Sequence, residues 1–291
     1  MLAAFLQYLF SGVTVGATYA MVALGFTLIF NASHVINFAQ GEFVMIGGMA
    51  TVSLIAAGLP LPLAALLAIG ASVLIGIALE KLAIEPARGG SVVALIIITI
   101  GASILLRGLA QLVWDRNFHV LPAFSGDAPI ALGGATILPQ SLWVIGGGLV
   151  AMAALGWLFN GTLFGKAMLA TAANPLAARL VGISVRAVLL ASFALSAGLG
   201  ALAGILVAPI TLTSYDVGTM LALKGFAAAV LGGLGSGVGA VLGGLAVGIA
   251  EAMAAGYLSS DYKDAIAFVI LLLVLFLLPR GLVASRAVER V

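Results

Sequence analysis

Across residues 1–79 the only Asp, Glu, Lys or Arg is Glu42. A chain that must cover its surface with polar groups cannot run so far on one charge. Only 8% of the 291 residues are charged and 63% are hydrophobic, against about 25% charged in an ordinary soluble domain. The solvent for most of this surface is therefore lipid. A helix needs roughly 20 apolar residues to cross a bilayer. The apolar runs here are continuous rather than alternating, which argues against a transmembrane barrel. The expected fold is an all-α polytopic bundle of about 8–9 membrane helices, some discontinuous or half-length, forming one transmembrane domain over residues 1–291.

Apolar segments are expected at roughly 5–30, 41–58, 61–80, 91–113, 140–159, 188–209, 222–235, 239–257 and 264–279. The charges between them are sorted by sign. Lys81 and Arg88 share one connection, Lys166, Arg179 and Arg186 a second, and Arg280, Arg286 and Arg290 the tail. These are eight of the twelve basic residues, accompanied by Glu80, Glu85 and Glu289 alone. Asp115, Asp127, Asp216 and Asp261 occupy the other connections. Because cytoplasmic loops carry the excess of Lys and Arg, the first group is expected inside, with the C-terminus, and the second outside. Nine spans would put the N-terminus outside and eight would put it inside. The segments 41–58 and 222–235 are candidates for half-helices. Glycine, at 38 residues, is well above the usual share of about 7%. The pairs Gly12/Gly16, Gly200/Gly204, Gly239/Gly243 and Gly244/Gly248 have the spacing that lets helix backbones approach closely, which calls for packing within one bundle before dimerisation.

The most polar cluster falls where water is scarce. "SHVINFAQGE", residues 33–42, separates two apolar runs. An intramembrane carboxylate costs ~3 kcal/mol on insertion scales and usually has a partner or a pathway. Irregular backbone at membrane depth survives only buried in protein or lining a water-filled cavity. On one reading Asn37, Gln40 and Glu42 belong to a translocation path or gate. On the other, 31–40 is a cytoplasmic turn with Asn37 capping the next helix, since Asn is a favoured cap and Glu suits a first turn. The second polar group is Lys224 with Glu251, the only charges between Asp216 and Asp261. The same two readings apply: a path or gate, or else Lys224 reaching an interface and Glu251 pairing locally. The glycine-rich run between them requires short, close-packed or broken helices. A polar interruption in each half hints at an internal repeat.

"NPLAARLVGI", residues 174–183, carries its own start and stop signals. Asn174 is an N-cap, Pro175 a first helical residue, and Gly182 a position just past the end. A helix of about two turns is expected within the longest basic connection, 160–187. Ala177 and Ala178 would give it a flat face for docking, and Arg179 would project. "NGTLFGKA" at 160–167 fails the phosphate-loop pattern, which needs Gly at the first position and Ser or Thr at the last. No nucleophile and base set marks a catalytic site. There is no cysteine, and His34 and His119 make no metal cluster. A net charge of +2 gives no reason to expect a nucleic-acid partner.

"FLQYLFSGVTVGATYAMVALGFTLIF" with "INFAQGEFVMIGG", the "EKLAIEPAR" loop, "KGFAAAVLGGLGSGVGAVLGGLAVGIAEA" and "YLSSDYKDAIAFVILLLVLFLLPRGL" follow in order almost to the C-terminus. This series resembles the permease of the high-affinity branched-chain amino acid ABC transporter family. The resemblance implies a multi-pass subunit of the bacterial inner membrane and an importer-permease fold. It implies a second related permease, two cytoplasmic ATPases that hold ATP and magnesium, and a periplasmic binding protein. This chain itself would bind no cofactor and catalyse nothing. Residues 174–183 then resemble the permease coupling motif, with Asn174, Pro175, Ala177, Ala178, Arg179 and Gly182 in the docking element. Leu176 replaces its leading glutamate, and Gln40 stands where relatives often carry histidine. Related permeases serve branched-chain and other amino acids, amides, urea and small aromatic acids. The rival expectation is a self-contained ion-coupled transporter or channel using Glu42 or Glu251, with a membrane-embedded enzyme a more distant one.

Overall fold

The structure is a computed structural model that describes residues 2–277 and 281–283. Each expected apolar segment coincides with a helix. These are α1 (Leu2–Ser33), α2 (Gln40–Ala56), α3 (Leu61–Leu79, continued by a π turn over Glu80–Ile84), α4 (Val92–Trp114), α5 (Pro139–Gly161), α8 (Val185–Thr211), α9 (Val217–Gly232), α10 (Gly237–Tyr257) and α11 (Lys263–Leu277). Between α5 and α8 lie α6 (Leu163–Ala173) and α7 (Pro175–Leu180), and a hairpin of β1 (Ile130–Leu132) and β2 (Ala135–Ile137) precedes α5. Among the described residues, six helices are long and apolar enough to cross a membrane, whereas α2 and α9 have only 17 and 16 residues.

Two helices form the axis of the bundle. Within their most apolar windows, 83% of α1 and 67% of α8 is buried, against 22% or less for α3, α4 and α5. The outer three present Leu66, Leu74, Ile97, Leu105, Leu112 and Val150 outward, as helices bathed in lipid do. The small-residue pairs are where the axis is assembled. A Cβ on Gly12 would lie 2.7 Å from Ile249 Cα, and one on Gly16 would lie 2.9 Å from Leu245 Cα. Gly204 is pressed in the same way against the Val44 carbonyl, and Gly243 against that of Ala228. The contacts lie within one bundle, as the simpler reading of the spacing requires.

The two sets of connections sort to opposite ends. Arg186 meets Glu85 in a two-point pair at 2.6 and 3.0 Å, and Arg88 meets Glu80, which ties the α3–α4 connection to the start of α8. At the other end the Gln7 side chain accepts the Thr136 N–H at 2.8 Å, and His119 and Thr213 form a β-bridge. Leu2 begins at this second end, while the backbone of 282–283 pairs with Leu231 and Gly232 at the first. The described chain therefore starts and finishes at opposite ends. The tail arginines Arg280, Arg286 and Arg290 and Glu289 lie outside the described residues.

Neither α1 nor α8 connects to the next helix by an ordinary end loop. After α1 the chain turns at His34 (φ 55°) and climbs back until Gln40 lies beside Gly25, well inside α1. After α8 it turns at Leu212 (φ 63°) and re-enters until Gly218 meets Gly41. Thus α2 and α9 both begin inside the bundle, N-terminus against N-terminus, and run to opposite ends. The unit α1–α2–α3 and the unit α8–α9–α10 are arranged inversely: α1 packs antiparallel on α10, and α8 packs antiparallel on α3. The suspected repeat is present in the geometry.

Candidate functional site

The first polar interruption is buried, with Asn37 and Gln40 at 0% exposure and Glu42 at 1%. Its polar groups hold the returning strand in place. Asn37 Oδ1 accepts the Ala39 N–H at 3.1 Å, and Phe38 N–H donates to Thr99 Oγ1 on α4 at 3.2 Å. Gln40 Nε2 donates to the Ser196 carbonyl at 3.1 Å; the Ser196 hydroxyl lies against both Gln40 Oε1 and the Gly25 carbonyl. Gln40 thereby clamps α1, α2 and α8 at one depth. The Ser103 hydroxyl donates to Glu42 Oε1 at 2.7 Å, and Oε2 accepts no hydrogen bond among the described residues. Asn37 is not the N-cap of α2: that position is Ala39, with no side-chain cap, and Asn37 instead makes the turn before it. The chain does turn at exposed His34, at the end that carries the basic connections, but from Val35 onward the segment doubles back into the bundle, so a turn and a buried interruption occur together.

Lys224 and Glu251, distant in sequence, meet. Lys224 Nζ lies 2.7 Å from Glu251 Oε1 and 2.6 Å from Asp264 Oδ1, and the Tyr19 hydroxyl donates to Glu251 Oε2 at 2.7 Å. The ammonium also faces the Tyr19 ring, 5.6 Å from its centroid. Lys224 is 5% exposed, so it does not reach out to an interface as one reading had it. Four helices, α1, α9, α10 and α11, are joined at this point. Tyr19 and Asp264 lie within stretches that carry the family resemblance, but nothing local marks either as a partner of Lys224 or Glu251.

This cluster forms the floor of a cavity of about 410 Å³ that opens toward the end carrying the aspartate-bearing connections. Asp216, at the start of α9, and Lys263, at the start of α11, line its wall with Ser214, whose hydroxyl donates to Asp216 Oδ1 at 2.6 Å. Phe118 from the α4–α5 connection also lines it. Asn37, Gln40 and Glu42 do not line this cavity. Their layer meets the α9 start at the Gly41·Gly218 contact, so the five candidate path residues form two adjoining layers rather than one.

At the other end, α7 is the capped helix that the sequence announced. Asn174 Oδ1 accepts the N–H groups of Leu176 and Ala177 at 3.0 and 3.2 Å. Gly182 takes φ 85°, and the Ile183 N–H reaches the Ala178 carbonyl at 2.9 Å, closing the end. One expectation needs correction. Ala178 is 2% exposed and packs into the chain's own core, because α7 lies on α6 and α8 through that side. The open face is made by Leu176 (71% exposed), Leu180 (89%) and Val181 (75%), with Ala177 and Arg179 beside them. These three apolar side chains form an exposed patch outside the long spans and between charged residues.

Comparison with known proteins extends over nearly the whole chain. The family described as "Branched-chain amino acid transport system / permease component" matches residues 8–275. The high-affinity branched-chain amino acid transport system permease protein LivH of Escherichia coli K12 is 35% identical over 304 residues, covering 99% of this chain and 98% of that protein. The corresponding permease protein BraD of Pseudomonas aeruginosa is 34% identical over 303 residues, with 99% and 98% covered. The autoinducer 2 import system permease protein LsrC of Escherichia coli is 34% identical over 144 residues, 48% of this chain and 40% of that one. Among solved structures, PsaBC from Streptococcus pneumoniae in complex with Fab superposes with a TM-score of 0.51 at 16% identity, covering 96% of this chain and 97% of that one. At that identity the likeness concerns the fold.

Proposed function

The chain belongs to the branched-chain amino acid transport permease family, and from that membership we infer that it is the transmembrane permease subunit of an ATP-binding-cassette importer for branched-chain or related amino acids. The observation that carries the reading is end-to-end similarity to permeases of that transport system at matching length. The chain is a multi-pass membrane protein. Our reading places it in the bacterial inner membrane beside a second related permease. Two cytoplasmic ATPases carrying ATP and magnesium, and a periplasmic binding protein, complete the assembly. The basic connections, and the C-terminus with them, are assigned to the cytoplasm by the charge rule.

The mechanism follows from continuity of the chain. The face of Leu176, Leu180 and Val181 docks in a groove of an ATPase subunit, and the Gly182 turn passes directly into α8. At 27 residues and 1.5 Å per residue, α8 is a rod of about 40 Å. Partway along it Ser196 grips Gln40, and at its far end Leu212 reverses the chain into α9. A displacement of α7 is thus delivered to both half-helices at once, at the Gly41·Gly218 contact and at the floor of the outer cavity. Substrate handed over at the outer end meets these layers in turn.

Two measurements test the reading. The chain, tagged and purified in mild detergent, should retain the cognate ATPase subunits, and Leu180→Asp should lose them. Because the natural chain has no cysteine, a single Leu132→Cys should react with an impermeant thiol reagent on intact cells. Leu180→Cys should be spared. Labelling at Leu180→Cys from outside would overturn the orientation and the coupling assignment together.

A further inference from the structure

The outer cavity has a composition that a passage for generic solutes does not require. We propose that it is a holding site for the zwitterionic head and apolar side chain of an α-amino acid, occupied on the way from the binding protein to the half-helix layer. This rests on the importer reading above and adds a location and a chemistry to it. At about 410 Å³ the cavity is within the range of about 300–1,000 Å³ usual for small-molecule sites. Both charge signs line it, and they are not all spent on one another. Lys224 is committed to Glu251 and Asp264, and Glu251 also accepts from Tyr19. The exposed ammonium of Lys263 and the exposed carboxylate of Asp216 remain at the wall, and the latter has an oxygen beyond the one taken by Ser214. An incoming carboxylate has Lys263 to meet, and an incoming ammonium has Asp216 and the half-exposed Asp264. A simple cation would leave Lys263 unmatched, and a simple anion would face three carboxylates.

The remaining wall suits the rest of the molecule. Val15, Val207, Val217, Met220 and Leu221 offer aliphatic surface beside these charges, wide enough for a branched side chain, and the hydroxyls of Thr18 and Thr211 in the same wall are bonded to the carbonyls of Thr14 and Val207. Charge-paired Lys224 and Glu251 make the floor rigid, because both are over nine-tenths buried and together tie α9 and α10 to α1 and α11. Release downward therefore needs relative motion of α9 and α10, the motion that displacement of α8 would drive. Recognition is at the rim and retention at the floor.

The test uses the assembled transporter in proteoliposomes, with Met220→Cys as the sole thiol of this chain and its modification read by mass spectrometry. L-leucine at millimolar concentration should slow modification there and not at Leu132→Cys on the hairpin. The amine lacking the carboxylate and the acid lacking the ammonium should protect roughly tenfold more weakly, the loss of one charge-assisted contact. Lys263→Gln should bring leucine down to the level of its amine, and Asp216→Asn to the level of its acid. Absence of protection in a complex that imports leucine with ATP would overturn the site and leave the importer reading intact. Equal protection by leucine, amine and acid would overturn the zwitterion assignment. A complex that imports no amino acid at all would overturn both.

Discussion

Replacing Lys224 with Met is the sharpest probe of how the outer half of the bundle is held. The substitution roughly conserves volume and removes one ammonium that lies 2.7 Å from Glu251 and 2.6 Å from Asp264. The side chains of Lys224, Glu251 and Asp264 are 7%, 10% and 40% exposed. Asp264 can therefore rehydrate, and the cost concentrates on Glu251, left buried with only the Tyr19 hydroxyl. Breaking a buried pair by removing one partner costs about 3–5 kcal/mol, whereas replacing both partners by apolar residues is often close to neutral. The single variant should lose about 3 kcal/mol, because one of the two carboxylates is relieved by water. Lys224→Met with Glu251→Met should recover most of it. At about 2–4 °C per kcal/mol, the single variant melts roughly 10 °C lower. Thermal aggregation of the detergent-solubilised protein, followed by size-exclusion chromatography, reads the difference. A single variant that melts with the wild type, or a double variant as weak as the single, would refute the argument that this is one buried charge network.

Three further outcomes follow from contacts elsewhere. Gly204→Ala places a methyl group against the Val44 carbonyl and should cost about 1–3 kcal/mol as α2 and α8 are forced apart, read as a lower melting temperature. Ala178→Trp should reduce the yield of folded protein, since that side chain is buried in the core; Leu176→Asp should leave yield intact and weaken ATPase capture. Asn174→Ala removes both acceptor contacts at the start of α7 and should cost about 1 kcal/mol, visible as faster amide exchange confined to 174–181.

What the sequence revealed and what it hid divide along a physical line. Spans were legible because twenty apolar residues in a row have few alternatives. The ends of α7 were legible because Asn, Pro and Gly act on the backbone within a few residues. The half-helices were foreshadowed by a short segment, 222–235, and by a segment opening on a polar break. The burial of Ala178 was hidden, because a two-turn helix with apolar residues on several sides has no period that says which side faces inward. Which of the two readings of Lys224 held was not legible, because its three partners come from α1, α10 and α11. The end of α8 was marked by Pro209, but the reversal itself is made at Leu212, a residue type that does not announce a positive φ. Local chemistry is written locally, and pairing across the bundle is not.

The most direct test of the account is transport by a defined assembly. Proteoliposomes containing this chain, its partner permease and the ATPases should accumulate L-leucine presented on its binding protein only when ATP is supplied on the α7 side. Omission of this chain should abolish accumulation, and Leu180→Asp should reduce it to the level without ATP. Accumulation by this chain alone, driven by an imposed ion gradient with no ATPase present, would contradict the account and make it a self-contained transporter.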